Sequence, residues 1–198
     1  MKNLLLSPLF LVLLFSCSEA DSYFSRVLNA DSEEDSWLLH GRTYDESRFS
    51  PLKDINDSNV QDLGLAWSFE TGTNRGHETT PIVVDGIMFI TAPWSVVFAL
   101  DPVTGKEIWS FDPQADKAWA RNACCDVVNR GVAVWEDQVI VATIDGRLIS
   151  LDKKSGEVNW DVLTIDKSKP YTITGAPRII NGKIIIGNGG AEYGVRGY

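Results

Sequence analysis

Cys124 and Cys125 stand side by side in Ala123-Cys124-Cys125-Asp126, shortly before Arg130. A trans peptide holds consecutive Cα atoms ~3.8 Å apart, less than a relaxed disulfide prefers, so a bridge between these neighbours needs a distorted peptide. It would close almost no loop and so stabilise far less than the ~2–4 kcal/mol of an ordinary bridge. What it would offer is a rigid, flat, polarizable surface. The other reading is two unrelated buried thiols, and the pair alone does not choose between them.

The remaining residues that could do chemistry are polar: Glu78, Arg130, Thr174 and the run Gly187-Asn188-Gly189-Gly190-Ala191-Glu192. Taken singly they read as a loop carboxylate, a surface ion pair worth ~0–1 kcal/mol, a turn residue and turn glycines. Taken together they are a carboxylate, a guanidinium, a hydroxyl and a Gly-rich loop ending in a second carboxylate. Such a set could hold a flat, anionic, oxygen-rich ligand, with a cation at Glu192. His40 and His77 are the only imidazoles, so a His-rich zinc or copper site is not expected, and any metal should be a hard cation held by oxygen.

The first residues read as an export signal over 1–20, with Lys2, an apolar run from Leu4 to Phe15 and small residues near Ser16 and Ala20. The run is short for a bilayer span. Leu14-Phe15-Ser16-Cys17 resembles a lipoprotein cleavage box, which would leave a lipidated Cys17 as a membrane attachment; cleavage after Ala20 is the rival. Either route leads to the periplasm and removes Cys17 as a partner, leaving Cys124 and Cys125 only each other. Residues 21–36 read as a linker. The net charge of −9 argues against nucleic acid or an anionic membrane surface as partner.

These groups need a scaffold, and the chain repeats itself. Residues 85–109 align without gaps on 136–160 at a constant offset of 51: Leu100-Asp101 recurs as Leu151-Asp152, Gly105 as Gly156 and Trp109 as Trp160. A third copy begins at Asn181-Gly182. Each unit reads as short β-branched runs broken by turns, beginning with Ile82–Val84, Ile87–Ala92 and Val96–Leu100. Four short strands per ~45–50 residues is the period of a β-propeller blade, and an all-β propeller is the expected fold. About three blades fit in 37–198, against the roughly 4–8 of a closed ring, so the chain is expected to be the N-terminal part of a longer protein, unstable and inactive by itself. Trp67, Trp109 and Trp160 read as tryptophans that pack blade against blade, Trp67 closing the run Leu63–Trp67. Successive connections of a meander alternate between its two ends. The repeat therefore places Glu78, Asn129 beside Arg130, and Thr174 at equivalent approaches to the innermost strands, around the axis. Cys124-Cys125 and the Gly187–Glu192 loop open on the same end.

At this point the residues resemble a known family. His40-Gly41-Arg42, Arg48-Phe49-Ser50-Pro51-Leu52, Asn74-Arg75-Gly76-His77-Glu78-Thr79-Thr80-Pro81, Ala123-Cys124-Cys125-Asp126-Val127-Val128-Asn129-Arg130-Gly131, Tyr171-Thr172-Ile173-Thr174-Gly175-Ala176-Pro177 and Gly187 to Tyr198 are similar to the N-terminal part of pyrroloquinoline-quinone (PQQ)-dependent alcohol dehydrogenases, nearest the quinohaemoprotein ethanol-type branch. The resemblance implies an eight-bladed propeller with PQQ on its axis, lying on a ring formed by a Cys124–Cys125 disulfide. It implies that Glu78 and Arg130 hydrogen-bond the quinone, that Thr174 and the backbone of Gly189, Gly190 and Ala191 hold another edge, and that Glu192 ligates calcium, a rare-earth ion being left open. Gly189 departs from the Ser of methanol-oxidising relatives. The implied activity is oxidation of a primary alcohol to an aldehyde by hydride transfer to the quinone, with an acceptor such as cytochrome c. The family's catalytic base lies beyond Tyr198, as would any haem c domain. Two rival readings are a cofactor-free propeller serving as an outer-membrane assembly scaffold and a PQQ-dependent sugar or polyol dehydrogenase.

Overall fold

The computed structural model describes residues 22–197; the expected export signal over 1–20, Cys17 and Tyr198 lie outside the described residues. Two antiparallel meanders of four strands each follow in sequence: β1 (Ile82–Val84), β2 (Ile87–Ala92), β3 (Val96–Leu100) and β4 (Glu107–Phe111), then β5 (Ala133–Trp135), β6 (Gln138–Ala142), β7 (Arg147–Asp152) and β8 (Val158–Leu163). A hairpin of β9 (Arg178–Ile180) and β10 (Lys183–Ile185) begins a third. The expected propeller blades are therefore present as two complete units and the first hairpin of another.

The middle strands read as apolar runs rather than alternating ones because neighbouring blades cover both their faces. Val97, Ala99, Val139, Val141, Ile149 and Leu151 are all fully buried, and each larger side chain among them contributes ~1.5–3 kcal/mol of apolar burial. The outermost strands β4 and β8 stay largely exposed. A bulge between Ala99 and Leu100 recurs between Ser150 and Leu151, at the repeat offset. After each bulge an Asp closes the turn. The N–H groups of Thr104 and Val103 hold the Asp101 carboxyl below the usual carboxylate range, and the N–H of Ser155, with its hydroxyl and the Lys154 N–H, does the same for Asp152.

Trp67 and Trp109 dock as expected. Trp67 lies against Gly105 and donates from Nε1 to the Pro102 carbonyl (3.1 Å); Trp109 lies against Gly156 and donates to the Lys153 carbonyl (3.1 Å). Gly156 has φ +74°, and a Cβ there would sit 2.7 Å from Trp109 Cε3. The run Leu63–Trp67 belongs to no strand among the described residues, and Trp67 anchors its end through the indole contact.

Of the stretch 21–36 expected to be a linker, the described residues 22–36 include packed helical structure. Ser22 caps a helix, α1 (Tyr23–Leu28), and Tyr23 and Val27, one turn apart, bury on the same face against the core of both blades. Arg26 pairs with Glu33 (2.7 Å) and Asp85 (3.0 Å), and the largely buried Lys153 ammonium pairs with Asp85 (2.8 Å). Burial alone would raise the Asp85 pKa, but Lys153 and Arg26 outweigh it and lower it. Trp37 then exchanges both backbone hydrogen bonds with Val83, an extra rung beside β1.

At the other end, the β6–β7 turn anchors the long connection that leads to Cys124. Asp145, 3% exposed, accepts from the Thr143 hydroxyl and the Asp116 N–H, and Arg147 beside it donates to the Pro113 carbonyl (2.6 Å). Burial would raise the Asp145 pKa; these donors, with Arg147 and Lys167, lower it instead.

In the full-length protein, Gly156→Ala should lose about 2 kcal/mol or more, since a left-handed residue with a Cβ costs ~1–2 kcal/mol before the indole is displaced; a denaturant midpoint equal to wild type counts against the docking. Asp145→Asn should lose about 2 kcal/mol at pH 7. Because the folded-state pKa is depressed, that contribution is complete above the unfolded-state value of about 4 and is lost as pH falls through the lower folded-state value. Melting curves of the two proteins should therefore converge only below about pH 4.

Candidate functional site

The site is built where the chain approaches each innermost strand. These approaches are laddered from blade to blade: Thr80 N–H donates to the Arg130 carbonyl (3.1 Å), and Arg130 N–H donates to the Thr174 carbonyl (3.0 Å). The Arg130 side chain follows its backbone, donating from Nη1 to Thr174 Oγ1 (2.7 Å) and pairing through Nη2 with Glu78 (2.7 Å). Carboxylate, guanidinium and hydroxyl thus meet directly, and all three segments belong to different blades. Arg130 and Glu78 remain about 40% exposed, so the ion pair itself stabilises little and both groups still face solvent.

Asn129 does not stand at the axis as the repeat suggested. It is 1% exposed and donates from Nδ2 to Ser95 Oγ (3.0 Å) and the Ala142 carbonyl (2.8 Å), while its Oδ1 accepts from Gly131 N–H (3.0 Å). It is a structural brace, and Arg130 carries the polar function of that blade. Both histidines are also engaged: His77 with Thr71 Oγ1 (2.7 Å), and His40 with Thr80 Oγ1 (3.1 Å) and Arg48. Burial, then the charges of Arg178 and Arg48, push the His40 pKa down, so it is neutral at pH 7.

Cys124 and Cys125 are joined in a disulfide with Cα atoms 3.8 Å apart, and both are exposed. The connection that carries them is pinned before the ring by Trp119, whose Nε1 donates to the Tyr171 carbonyl (2.6 Å), and after it by the Val127 carbonyl, which accepts from Trp94 N–H (2.9 Å). Its flanks reach the other site loops. Tyr193 hydroxyl donates to the Ala123 carbonyl (3.3 Å), and Asp126 pairs with Arg75, three residues before Glu78. Arg75, Trp94 and Asp126 are not signalled by residue type alone. The one available signal is that Arg75 and Asp126 carry opposite charges at the repeat offset of 51.

The Gly-rich loop is held by Thr172, which exchanges both backbone hydrogen bonds with Gly189. Gly189 N–H is thereby used, leaving Gly190 and Ala191 as the backbone donors of that loop. A Cβ at Gly189 would sit 3.1 Å from Thr172 Oγ1, so this hydroxyl occupies the space of a larger residue. Gly190 (φ +119°) is irreplaceable for a different reason: a Cβ would collide with the Pro170 carbonyl and Val195. Asn188 Nδ2 is buried without a hydrogen-bond partner, the only such side-chain atom among the described residues, and points to a partner the chain itself does not supply. Glu192 is exposed in the following turn; among the described residues no hydrogen bond or ion pair joins it or the two sulfurs to the Glu78–Arg130–Thr174 trio.

These residues fit a planar, carboxylate-bearing quinone. A guanidinium has five N–H donors, and the contacts to Glu78 and Thr174 leave capacity for an anionic ligand. An exposed disulfide on the same end offers a flat polarizable face. Glu192 supplies one hard oxygen donor, and no group of three or more His, Cys, Asp or Glu side chains among the described residues could complete a metal site by itself.

A family model described as the β-propeller domain of PQQ-type glucose/ethanol/alcohol dehydrogenases matches residues 37–194. The quinohemoprotein alcohol dehydrogenase ADH-IIG of Pseudomonas putida is 58% identical over 175 residues, covering 88% of this chain and 24% of the relative. A 1-butanol dehydrogenase (cytochrome c) of Thauera butanivorans is 56% identical over 82% of this chain and 24% of its own length. The solved structure of quinohemoprotein alcohol dehydrogenase ADHIIG from Pseudomonas putida HK5 superposes with a TM-score of 0.86 at 57% identity, covering 87% of this chain and 25% of that one. The chain thus spans about a quarter of the length of these relatives. With two Trp-docked blades, a third begun and the family model covering 37–194, the chain belongs to the PQQ-type glucose/ethanol/alcohol dehydrogenase β-propeller family.

Proposed function

We propose that this chain forms the cofactor-holding first blades of a periplasmic, PQQ- and calcium-dependent dehydrogenase that oxidises a primary alcohol to an aldehyde. The observation that carries the reading is the Arg130 bridge between Glu78 and Thr174, on the same end of the blades as the exposed Cys124–Cys125 ring. When bound, the quinone supplies an electrophilic carbonyl that takes up hydride, with a cation as Lewis acid.

The chain's own residues bind and orient. Arg130 meets ligand carboxylates or carbonyl oxygens with charge-assisted hydrogen bonds, the strong kind, and Glu78 fixes the plane of its guanidinium. Thr174 Oγ1 accepts from Arg130, which leaves its own O–H to donate to the ligand. The disulfide supports one face of the ring system, and the N–H groups of Gly190 and Ala191 reach an edge. Glu192 contributes an oxygen to calcium or a rare-earth ion. The names of the relatives favour alcohols over sugars as substrate and support a cytochrome c acceptor and a haem c in the remainder of the protein.

In the full-length protein, Arg130→Ala should weaken PQQ binding by about 10- to 100-fold, the loss of hydrogen bonds to a charged group of ~1.5–3 kcal/mol. Glu192→Ala should raise the calcium needed to retain the quinone. Titration with PQQ and calcium that returns wild-type affinities for both variants refutes the assignment.

A further inference from the structure

One cluster on the site end has no part in the reading above. Arg75, in the loop that carries Glu78, pairs with Asp126, which directly follows Cys125. The Arg75 guanidinium also lies over the Trp94 ring, 5.8 Å from its centroid. Lys117, in the 3-10 turn ahead of the disulfide, lies over that ring at 4.1 Å. Trp94 therefore touches the disulfide connection at three places: through Lys117 before the ring, through its N–H to the Val127 carbonyl after it, and through Arg75 at Asp126.

The backbone supports a fixed arrangement. Trp94, Ser95 and Asp126 have φ of +67°, +63° and +77°, a region that side-chain-bearing residues rarely occupy. Such conformations persist where the surroundings over-determine them. Asp126 Oδ1 accepts from Val127 N–H (2.8 Å), and Ser95 Oγ accepts from the buried Asn129 amide (3.0 Å). The disulfide connection needs holding because Cys124 and Cys125 are exposed and sit in no strand. Apolar packing reaches only the flanks, where Ala115, Ala120, Ala123 and Val127 share a small cluster with Ile144 and Trp94.

We propose that Arg75, stacked on Trp94 and paired with Asp126, is a positioning residue that fixes the Cys124–Cys125 ring relative to the Glu78–Arg130 pair, so that a planar quinone meets its platform and its polar partners in one geometry. This rests on the quinone reading above. Arginine suits the role because its planar guanidinium stacks and forks hydrogen bonds at once, which an ammonium cannot do. An ordinary exposed ion pair would add little stability and leave cofactor binding untouched.

The test uses the full-length protein as Arg75→Met, Arg75→Lys, Asp126→Asn and the Arg75→Met/Asp126→Asn double variant, titrated with PQQ in calcium. Arg75→Met and Asp126→Asn should each weaken PQQ binding roughly fivefold and shift the absorption band of the bound quinone, with the apo-protein melting temperature unmoved. The double variant should lose no more than the weaker single variant, as two residues acting through one contact do. Arg75→Lys should recover only part of the affinity. Wild-type affinity and an unshifted band in Arg75→Met, or fully additive losses in the double variant, overturn the inference while the quinone reading stands. A wild-type protein that takes up no PQQ overturns the reading, and the inference with it.

Discussion

The backbone hydrogen bonds that join Thr80 to Arg130 and Arg130 to Thr174 are the constraint from which the site follows. They pin the main chain of Arg130 on both sides, and the contacts of its guanidinium to Glu78 and Thr174 then hold the side chain between those two residues. Each rung crosses a blade boundary. The site geometry is therefore a function of how blades dock, and the docking is set by an indole lying on a glycine that has no side chain to hold it off, at Trp67–Gly105 and Trp109–Gly156. A blade displaced by an ångström would break the ladder before it exposed much core.

Docking is reinforced at the end away from the site. There α1 lays Tyr23 and Val27 on the shared core, and a chain of charges runs Glu33–Arg26–Asp85–Lys153 across the first two blades. A buried ammonium without a carboxylate would be strongly unfavourable, so this chain specifies the relative position of the blades more than it adds net stability. The segment after α1 reaches further. Tyr44 donates to the Ile179 carbonyl (3.0 Å) and Glu46 pairs with Arg178 (3.1 Å), joining the N-terminal segment to β9. The segment from α1 to Glu46 thus spans the same blades that the ladder spans at the other end.

Much of this was legible in the sequence because a propeller writes each blade twice: as β-branched runs of strand length, and as an offset that repeats the Asp turn, the glycine and the tryptophan. Strand limits for β1, β2 and β3 agree with the runs Ile82–Val84, Ile87–Ala92 and Val96–Leu100. The offset was less informative about direction. In extended chain, neighbouring side chains point to opposite faces, so the alignment that named position 129 could not say that Asn129 turns inward and Arg130 outward. Residues 21–36 were opaque for another reason. A six-residue helix has too few turns to show a period, and its apolar pair means nothing until Val84 and Val134 are there to receive it. Leu63–Trp67 shows the converse, a strand-like run that has no strand beside it.

The repeat also explains why functional groups gather at one end. Connections between β3 and β4 and between β7 and β8 are committed to docking, since their glycines receive the tryptophans and their Asp residues close the turns. The loops of the opposite end are free of that duty, and equivalent positions in consecutive blades lie side by side there. Residues 51 apart can then meet directly, as Arg75 and Asp126 do. A loop freed from docking gains chemistry and keeps apolar support only at its flanks, where Trp119, Ala123 and Val127 pack; the exposed Cys124–Cys125 stretch between them is held by a covalent ring, indole and tyrosine hydrogen bonds and a charge pair. Rigidity at this end combines a small apolar cluster beneath the connection with polar contacts added one residue at a time above it.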